Sequence, residues 1–299
     1  MKKKQWGFLL MSVSALGLAV ATIMLKILPG EAGLAPGQVA VWRFLIAAPL
    51  MWLITLIQKR GRRLKPETPI ALLVMGLVFS IASVLALLAL NRLPSSIYVI
   101  ILFFYPSIIV IFHLLNHKPV PRLWWLGLPL TLVGLVLTVV RFGQPLTLDP
   151  LGVVLSILNG ITIAIYMLMS ERVFQRNTDR QLGSTWVMTG AMVVGLLLAF
   201  VFGFKLPETL RGWVYLLILG VFGTLIPILS MNIGIQLIGS ARGSVISTLQ
   251  PVGAVLISTI FLHEVLAPLQ WLGGILVIVA IILLQRSPNT HARDKDIKI

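Results

Sequence analysis

The segment His117-Lys118-Pro119-Val120-Pro121-Arg122-Leu123-Trp124-Trp125-Leu126-Gly127 returns 146 positions later as His263-Glu264-Val265-Leu266-Ala267-Pro268-Leu269-Gln270-Trp271-Leu272-Gly273. His, Leu, Trp, Leu and Gly coincide. The echo continues upstream at nearly the same offset: Pro106 with Pro251, Ser95 with Ser240, Trp42 with Trp186 and Gly7 with Gly152. Self-similarity at one spacing over most of a chain marks a duplicated unit. We read residues 1–145 as the first unit and 146–286 as the second. The polar stretch 287–299 is expected to be a disordered cytoplasmic tail.

Each unit is too apolar to be a soluble domain. The chain of 299 residues is 58% hydrophobic and 11% charged, against about a quarter charged in ordinary soluble domains. A bilayer can accommodate that surface. An apolar run of about 20 residues crosses a hydrocarbon core as a helix, and ten runs approach this length: 6–28, 37–57, 69–91, 95–115, 124–140, 150–170, 185–204, 212–236, 241–262 and 268–285. Pro- and Gly-bearing breaks separate them, among them Pro29-Gly30, Pro94-Ser95, Gly143 to Pro150 and Gly239-Ser240. The expected fold class is therefore an all-α membrane protein of ten transmembrane helices, five per unit. Five is odd, so the second unit must enter the membrane inverted relative to the first. Inverted repeats of this kind typify secondary transporters, with the substrate bound near the midplane between the halves.

The charge pattern sets the expected orientation. With the N-terminus inside, 18 of the 24 Lys and Arg residues fall on the cytoplasmic side. Arg92, Arg141, Lys205 and Arg211 fall outside, and Lys26 and Arg43 lie within spans. That asymmetry places both termini in the cytoplasm of a cell that carries the chain in its inner or plasma membrane. It also accounts for the net charge of +15 without a nucleic-acid partner, since no soluble basic domain is present to hold one. Trp6, Trp124, Trp125, Trp213 and Trp271 lie near helix ends, where interfacial anchors belong. Lys2 to Lys4 before an apolar run also resembles a secretory signal. The length of the run, and the counterpart of its helix in the second unit, favour a retained first span.

With these residues in place, the chain resembles the EamA-type drug/metabolite transporter superfamily. The likeness runs through Trp42-Arg43-Phe44 to Ala48, Ala89 to Gly127, and above all Gly234 to Gly273. Each repeat of that family carries a small-residue turn, a mid-helix proline, an acidic turn and a Trp/Gly-bearing last helix. Here these are Gly239-Ser240-Ala241, Pro251, His263-Glu264 and Trp271 to Gly274. The first half departs from the pattern, with Lys118 where the second has Glu264. The resemblance implies a ten-helix basket with a central cavity, a peripheral last helix in each half, and export of amino acids or other metabolites. Its general likeness is to YddG-type amino-acid exporters.

Enzyme chemistry finds no footing. The four histidines (His113, His117, His263 and His291) have no metal-ligand spacing, and neither a nucleophile elbow nor a phosphate-binding loop is present. With no cysteine, disulfides, thiolate zinc sites and thiol catalysis are excluded. No cofactor, metal or nucleic acid is expected. The expected partners are a small-molecule substrate and the lipid bilayer, and a monomer suffices. No Asp or Glu lies mid-span, since Glu171 and Glu264 fall at helix ends, so strong ion coupling is not expected. Lys26 can snorkel. Arg43 lies too deep for that, and could meet helix-end carbonyls, Glu31 or a substrate carboxylate.

The candidate substrate-binding residues are Tyr98, Tyr105, Ser83, Asn159, Tyr166, Ser244 and Gln250, polar groups within apolar spans. For any one of them an interhelical hydrogen bond is the simpler reading, while as a group they are too numerous for lipid-facing surfaces. Tyrosine, apolar on its face and polar at its hydroxyl, suits a zwitterion with a variable side chain. Pro106 and Pro251 are candidate hinges, because each removes a backbone donor mid-helix. The expected function is export or exchange of amino acids or similar metabolites by alternating access. Export of drugs or cationic compounds is the alternative. A non-transporting receptor or an intramembrane enzyme is the reading from another class, and would need a sensory loop or a catalytic cluster.

Overall fold

The computed structural model describes residues 3–58, 66, 68–117, 123–139, 149–175, 179–262 and 267–285. Lys118, the basic loop 59–65, the His263-Glu264 turn and the tail 287–299 lie outside the described residues, as does the side chain of Lys26. The described residues form thirteen α-helices and no strand: α1 (Lys3–Ala32), α2 (Pro36–Gln58), α3 (Pro69–Leu90), α4 (Ser95–Leu102), α5 (Tyr105–Leu115), α6 (Leu123–Val139), α7 (Pro150–Phe174), α8 (Arg180–Phe202), α9 (Leu210–Gly220), α10 (Ile226–Ile238), α11 (Ser240–Ile246), α12 (Leu249–Leu262) and α13 (Pro268–Gln285). A π-helical turn, Val221–Leu225, joins α9 to α10.

Seven helical segments are long and apolar enough to cross a membrane: α1 as far as Leu25, α2, α3, the α4–α5 pair, α7, α8 and the run from α9 through α10. Helices α6 and α13 are apolar but shorter. Large apolar side chains face outward along these helices, among them Phe200 at 88% exposure and Leu210 at 81%. Such surface needs lipid rather than water.

Local chemistry explains where the helices differ from the apolar runs. The run expected to start at 185 begins at Arg180, because the Asp179 carboxylate accepts the Leu182 N–H and caps a polar first turn. Asp149 caps α7 through the Gly152 N–H, and Thr209 caps α9 through the Gly212 N–H. Three runs expected as single helices are interrupted. Run 95–115 breaks at Phe103-Phe104, and run 241–262 at Ser247-Thr248. Run 212–236 contains the π turn. Gly239 ends α10 at φ 85°, a left-handed value that glycine adopts without strain.

Helix association in lipid draws little on the hydrophobic effect and depends on close packing of small residues. Helices α3 and α8 cross at Gly76 and Gly190. A Cβ on Gly76 would stand 2.1 Å from the Val187 carbonyl oxygen, and one on Gly190 2.3 Å from that of Leu73. Helix α1 lies along α10 with Gly7 against the Ile238 side chain and Gly234 against that of Met11. Gly134 and Gly273 bring α6 and α13 together. Helix α7 packs on α3, α4 and α5, while α1 packs on α10, α9 and α12. Trp124 corrects an expectation. It is 3% exposed rather than interfacial, whereas Trp6, Trp125 and Trp271 are exposed as anchors should be.

Candidate substrate site

Two helix breaks lie beside several of the candidate residues. Pro106 is the second residue of α5 and Pro251 the third of α12, each just beyond an interruption rather than inside a continuous helix. In an unbroken helix the N–H at position 106 would bond the Leu102 carbonyl, and proline has none. Gly160 of α7 packs against that carbonyl, with a built Cβ 3.2 Å from Leu102 O.

Two tyrosines flank the first break and reach into the second half. Asn159 Nδ2 on α7 donates to the Tyr98 hydroxyl oxygen at 2.8 Å. The Tyr105 hydroxyl donates to Ser247 Oγ at 2.8 Å, with the Ser244 carbonyl oxygen at 3.5 Å. Tyr98, Tyr105 and Asn159 are all buried. Asn159 Oδ1 is fully enclosed and has no hydrogen-bond donor among the described residues.

The remaining candidates divide. Tyr166 is buried, and its hydroxyl donates to Asn232 Oδ1 at 2.9 Å within the second half. Its ring lies 5.5 Å from that of Phe79 on α3. Gln250 is half-buried, and its amide has no hydrogen-bond partner among the described residues. Ser83 and Ser244 spend their hydroxyls on their own helices, bonding the Phe79 and Ala241 carbonyls. The structure therefore brings Tyr98 to Asn159, and Tyr105 to the Ser247 hydroxyl and the Ser244 carbonyl. It ties Tyr166 to Asn232, and leaves Ser83 without a cross-helix bond among the described residues.

Two polar groupings do not follow from residue type alone. Asn232 is a hub on α10: it accepts from Tyr166 and from Ser170 Oγ at 3.0 Å, and donates to Ser184 Oγ at 3.1 Å. In the last turn of α7, Glu171 is 3% exposed. It bonds Ser240 through both the backbone N–H and the hydroxyl, and stands 3.4 Å from His113 Nε2 on α5. The sequence places Glu171 at a helix end, which is correct, but gives no sign of its burial.

Arg43 on α2 is also buried, at 8% exposure. Its Nε donates to Thr224 Oγ1 at 2.8 Å, and its Nη2 lies 3.5 Å from the Gly223 carbonyl oxygen. Thr224 belongs to the π turn and donates to Leu219 O, five residues back. Pro227 lacks the N–H that an α-helix would pair with Gly223 O. The expectation that Arg43 meets helical carbonyls thus holds for one donor. Glu31 does not reach it.

Outside the spans, two carboxyls are shifted. The Gly152 backbone N–H, aided by Arg92 at 3.2 Å, holds Asp149 below its ordinary value. Lys205 does the same for Glu208.

Seven apolar spans, a lipid-facing exterior and buried polar contacts between two sequence repeats define a polytopic helical membrane protein of the transporter class. The EamA-like transporter family model matches residues 5–140 and again 150–286, and the chain belongs to that family. Membership makes it a membrane transporter and not an enzyme. It is 29% identical over 224 residues to the uncharacterized transporter sll1319 of Synechocystis sp., a match covering 72% of this chain and 67% of that one. It is 25% identical over 253 residues to the uncharacterized inner membrane transporter YedA of Escherichia coli strain K12, covering 83% and 81%. It is 26% identical over 262 residues to the uncharacterized transporter YvbV of Bacillus subtilis strain 168, covering 81% and 79%. A solved crystal structure shares the fold with a TM-score of 0.75 at 18% identity, over 94% of each chain.

Proposed function

We propose that the chain is a secondary transporter that exports or exchanges amino acids or similar small metabolites by alternating access, without strong ion coupling. In this reading ten spans form two inverted five-helix halves, 1–145 and 146–286, around a central cavity, with both termini in the cytoplasm. The α4–α5 pair and the α11–α12 pair each count as one broken span.

The observation that carries the reading is the tyrosine layer at the junction of the repeats. Tyr98 meets Asn159, and Tyr105 meets Ser247. Both contacts join a broken helix of the first half to the second half. The packing supports two equivalent halves as well. Exchanging them turns the α1–α10 contact into α7–α3 and the α1–α12 contact into α7–α5, while α6–α13 maps onto itself. Pro106 and Pro251 sit at corresponding breaks, where a rocking motion can be absorbed without breaking a regular helix.

The chemistry favours a zwitterion over a cation. Asn159 Oδ1 offers an acceptor that a substrate ammonium can satisfy. A cation exporter would call for a carboxylate at the site, and Glu171 is held by Ser240 and His113.

The test is uptake of a panel of radiolabelled amino acids into liposomes containing the purified chain. Flux of at least one amino acid above that of protein-free liposomes is expected. Gln250→Ala and Tyr98→Phe are expected to slow it while leaving membrane insertion intact. Unchanged flux in both variants would remove these residues from the site, and no flux of any amino acid would refute the substrate class.

A further inference from the structure

Arg43 carries a buried positive charge with no counter-ion among the described residues. A guanidinium presents five N–H donors. Two are engaged, by Thr224 Oγ1 and by the Gly223 carbonyl oxygen. Neither acceptor bears a net charge. Among the described residues no carboxylate forms an ion pair with Arg43, and the Phe44 and Phe79 rings lie 5.6 and 5.5 Å from its Cζ. Aromatic faces attract a cation but do not neutralise it.

A charge in this position is costly unless something compensates it. Within a membrane-spanning helix an arginine marks a substrate or ion path by default, because lipid offers no counter-charge. Snorkelling does not relieve this one. Its Nε is fixed on the π turn of the facing segment, about two helical turns from the start of α2 at Pro36. The π turn itself is a departure from regular helix, of a kind that recurs at functional sites. Thr224 donates its proton to Leu219 O and is thereby set to accept from Arg43. The hydroxyl thus orients the guanidinium, and with one Nη2 N–H on Gly223 the Nη1/Nη2 edge keeps an N–H on each nitrogen without an acceptor among the described residues. That edge is the fork that takes a carboxylate in two parallel hydrogen bonds.

We infer that Arg43 is the anion-binding residue of the transport site and receives the carboxylate of the solute. Thr224 and Gly223 hold the guanidinium in place, and Phe79 carries the site toward Tyr166, whose ring is 5.5 Å away. The substrate class is thereby narrowed to solutes with a carboxylate, and amines lacking one are disfavoured. This deepens the transporter reading and rests on it.

The test compares L-leucine, L-phenylalanine and L-threonine with their carboxamides, which keep the ammonium and side chain but lose the negative charge. Initial uptake is measured in liposomes clamped at zero membrane potential, for the full-length chain and for Arg43→Lys and Arg43→Met. The wild type is expected to prefer the acid by about tenfold or more. Arg43→Lys should keep the preference but raise the half-saturation concentration for the acid. Arg43→Met should lose the preference. Should the methionine variant fail to fold, the lysine variant still reads the loss of the fork, because it retains the charge. Equal uptake of acids and amides by the wild type would overturn the assignment and leave the transporter reading standing. The assignment also fails, with the transporter reading intact, if both the acid preference and the half-saturation concentration for the acid are unchanged from wild type in Arg43→Lys and Arg43→Met. A wild type that moves none of the six compounds, nor any other amino acid of the panel, would overturn both the assignment and the proposed substrate class.

Discussion

Replacing Gly76 by alanine tests how tightly the helices must approach. The added Cβ would lie 2.1 Å from the Val187 carbonyl oxygen, 2.6 Å from the Ala191 nitrogen and 2.8 Å from the Gly190 Cα. Ordinary van der Waals contact for a Cβ begins near 3.4 Å. Helices α3 and α8 must therefore separate locally by about 1.3 Å. All three colliding atoms are backbone, so no side-chain rotation can relieve the clash. Overpacking of this kind costs about 1–3 kcal/mol. Exchanging glycine for alanine in a helix returns up to about 1 kcal/mol through propensity. The separation also strains the Ser80 hydrogen bond to the Ala191 carbonyl, now 3.3 Å. A net loss of about 1–2 kcal/mol follows. Gly30→Ala is the matched control, since nothing lies within 4 Å of its built Cβ. The assay is thermal unfolding of the full chain in detergent, followed by tryptophan fluorescence. Gly76→Ala should melt below the wild type, and Gly30→Ala at or above it. If Gly76→Ala were as stable as Gly30→Ala, the close backbone crossing would be wrong.

Other outcomes follow from the same geometry. Asn232→Leu removes three interhelical hydrogen bonds, which at roughly 0.6 kcal/mol each in membrane proteins predicts a loss of about 2 kcal/mol. Tyr166→Phe, which removes one of them, should cost about a third as much in the same unfolding assay. Asp149→Ala should melt below the wild type at neutral pH. The native carboxyl is held below its ordinary 3.8, so its contribution is complete above that value and is lost as pH falls through the lower native one. The two melting temperatures should therefore converge in acid. An imposed pH gradient should leave the steady-state accumulation of a transported amino acid unchanged. Accumulation that follows the gradient would establish proton coupling, with the buried His113–Glu171 pair as the first place to look.

The duplication was legible because it is written in residues that fix helix ends, prolines and tryptophans at a constant spacing. The caps at Asp149, Asp179 and Thr209 act locally, but the length of an apolar run does not register them, which is why the run expected from 185 begins at Arg180. The π turn was not legible. Val221 to Leu225 lies inside an apolar run, and only Pro227 hints that the hydrogen-bond ladder changes there. Residue type pointed to the tyrosines and amides, because polar groups in apolar spans need partners. Which tyrosine meets which amide depends on how helices pack, and packing in lipid is decided by small-residue contacts such as Gly160 against Leu102. Ser83 and Ser244 illustrate the converse. A serine hydroxyl can satisfy itself on a carbonyl three or four residues back, so its presence in a span does not place it in a site. The burial of Glu171 rests on α5 and α11 closing over the end of α7, which no local pattern announces.

The inverted arrangement can be tested directly, because the chain has no native cysteine. Gly30 and Gln175 are exposed and stand 145 positions apart, one at the end of each half's first helix. Single-cysteine variants at these positions would be treated with a membrane-impermeant thiol reagent in intact cells and again after permeabilisation. We expect Gly30→Cys to react in intact cells and Gln175→Cys only once the membrane is opened. Labelling of both from the same side would mean that the halves share one orientation, and the alternating-access account would fail with them.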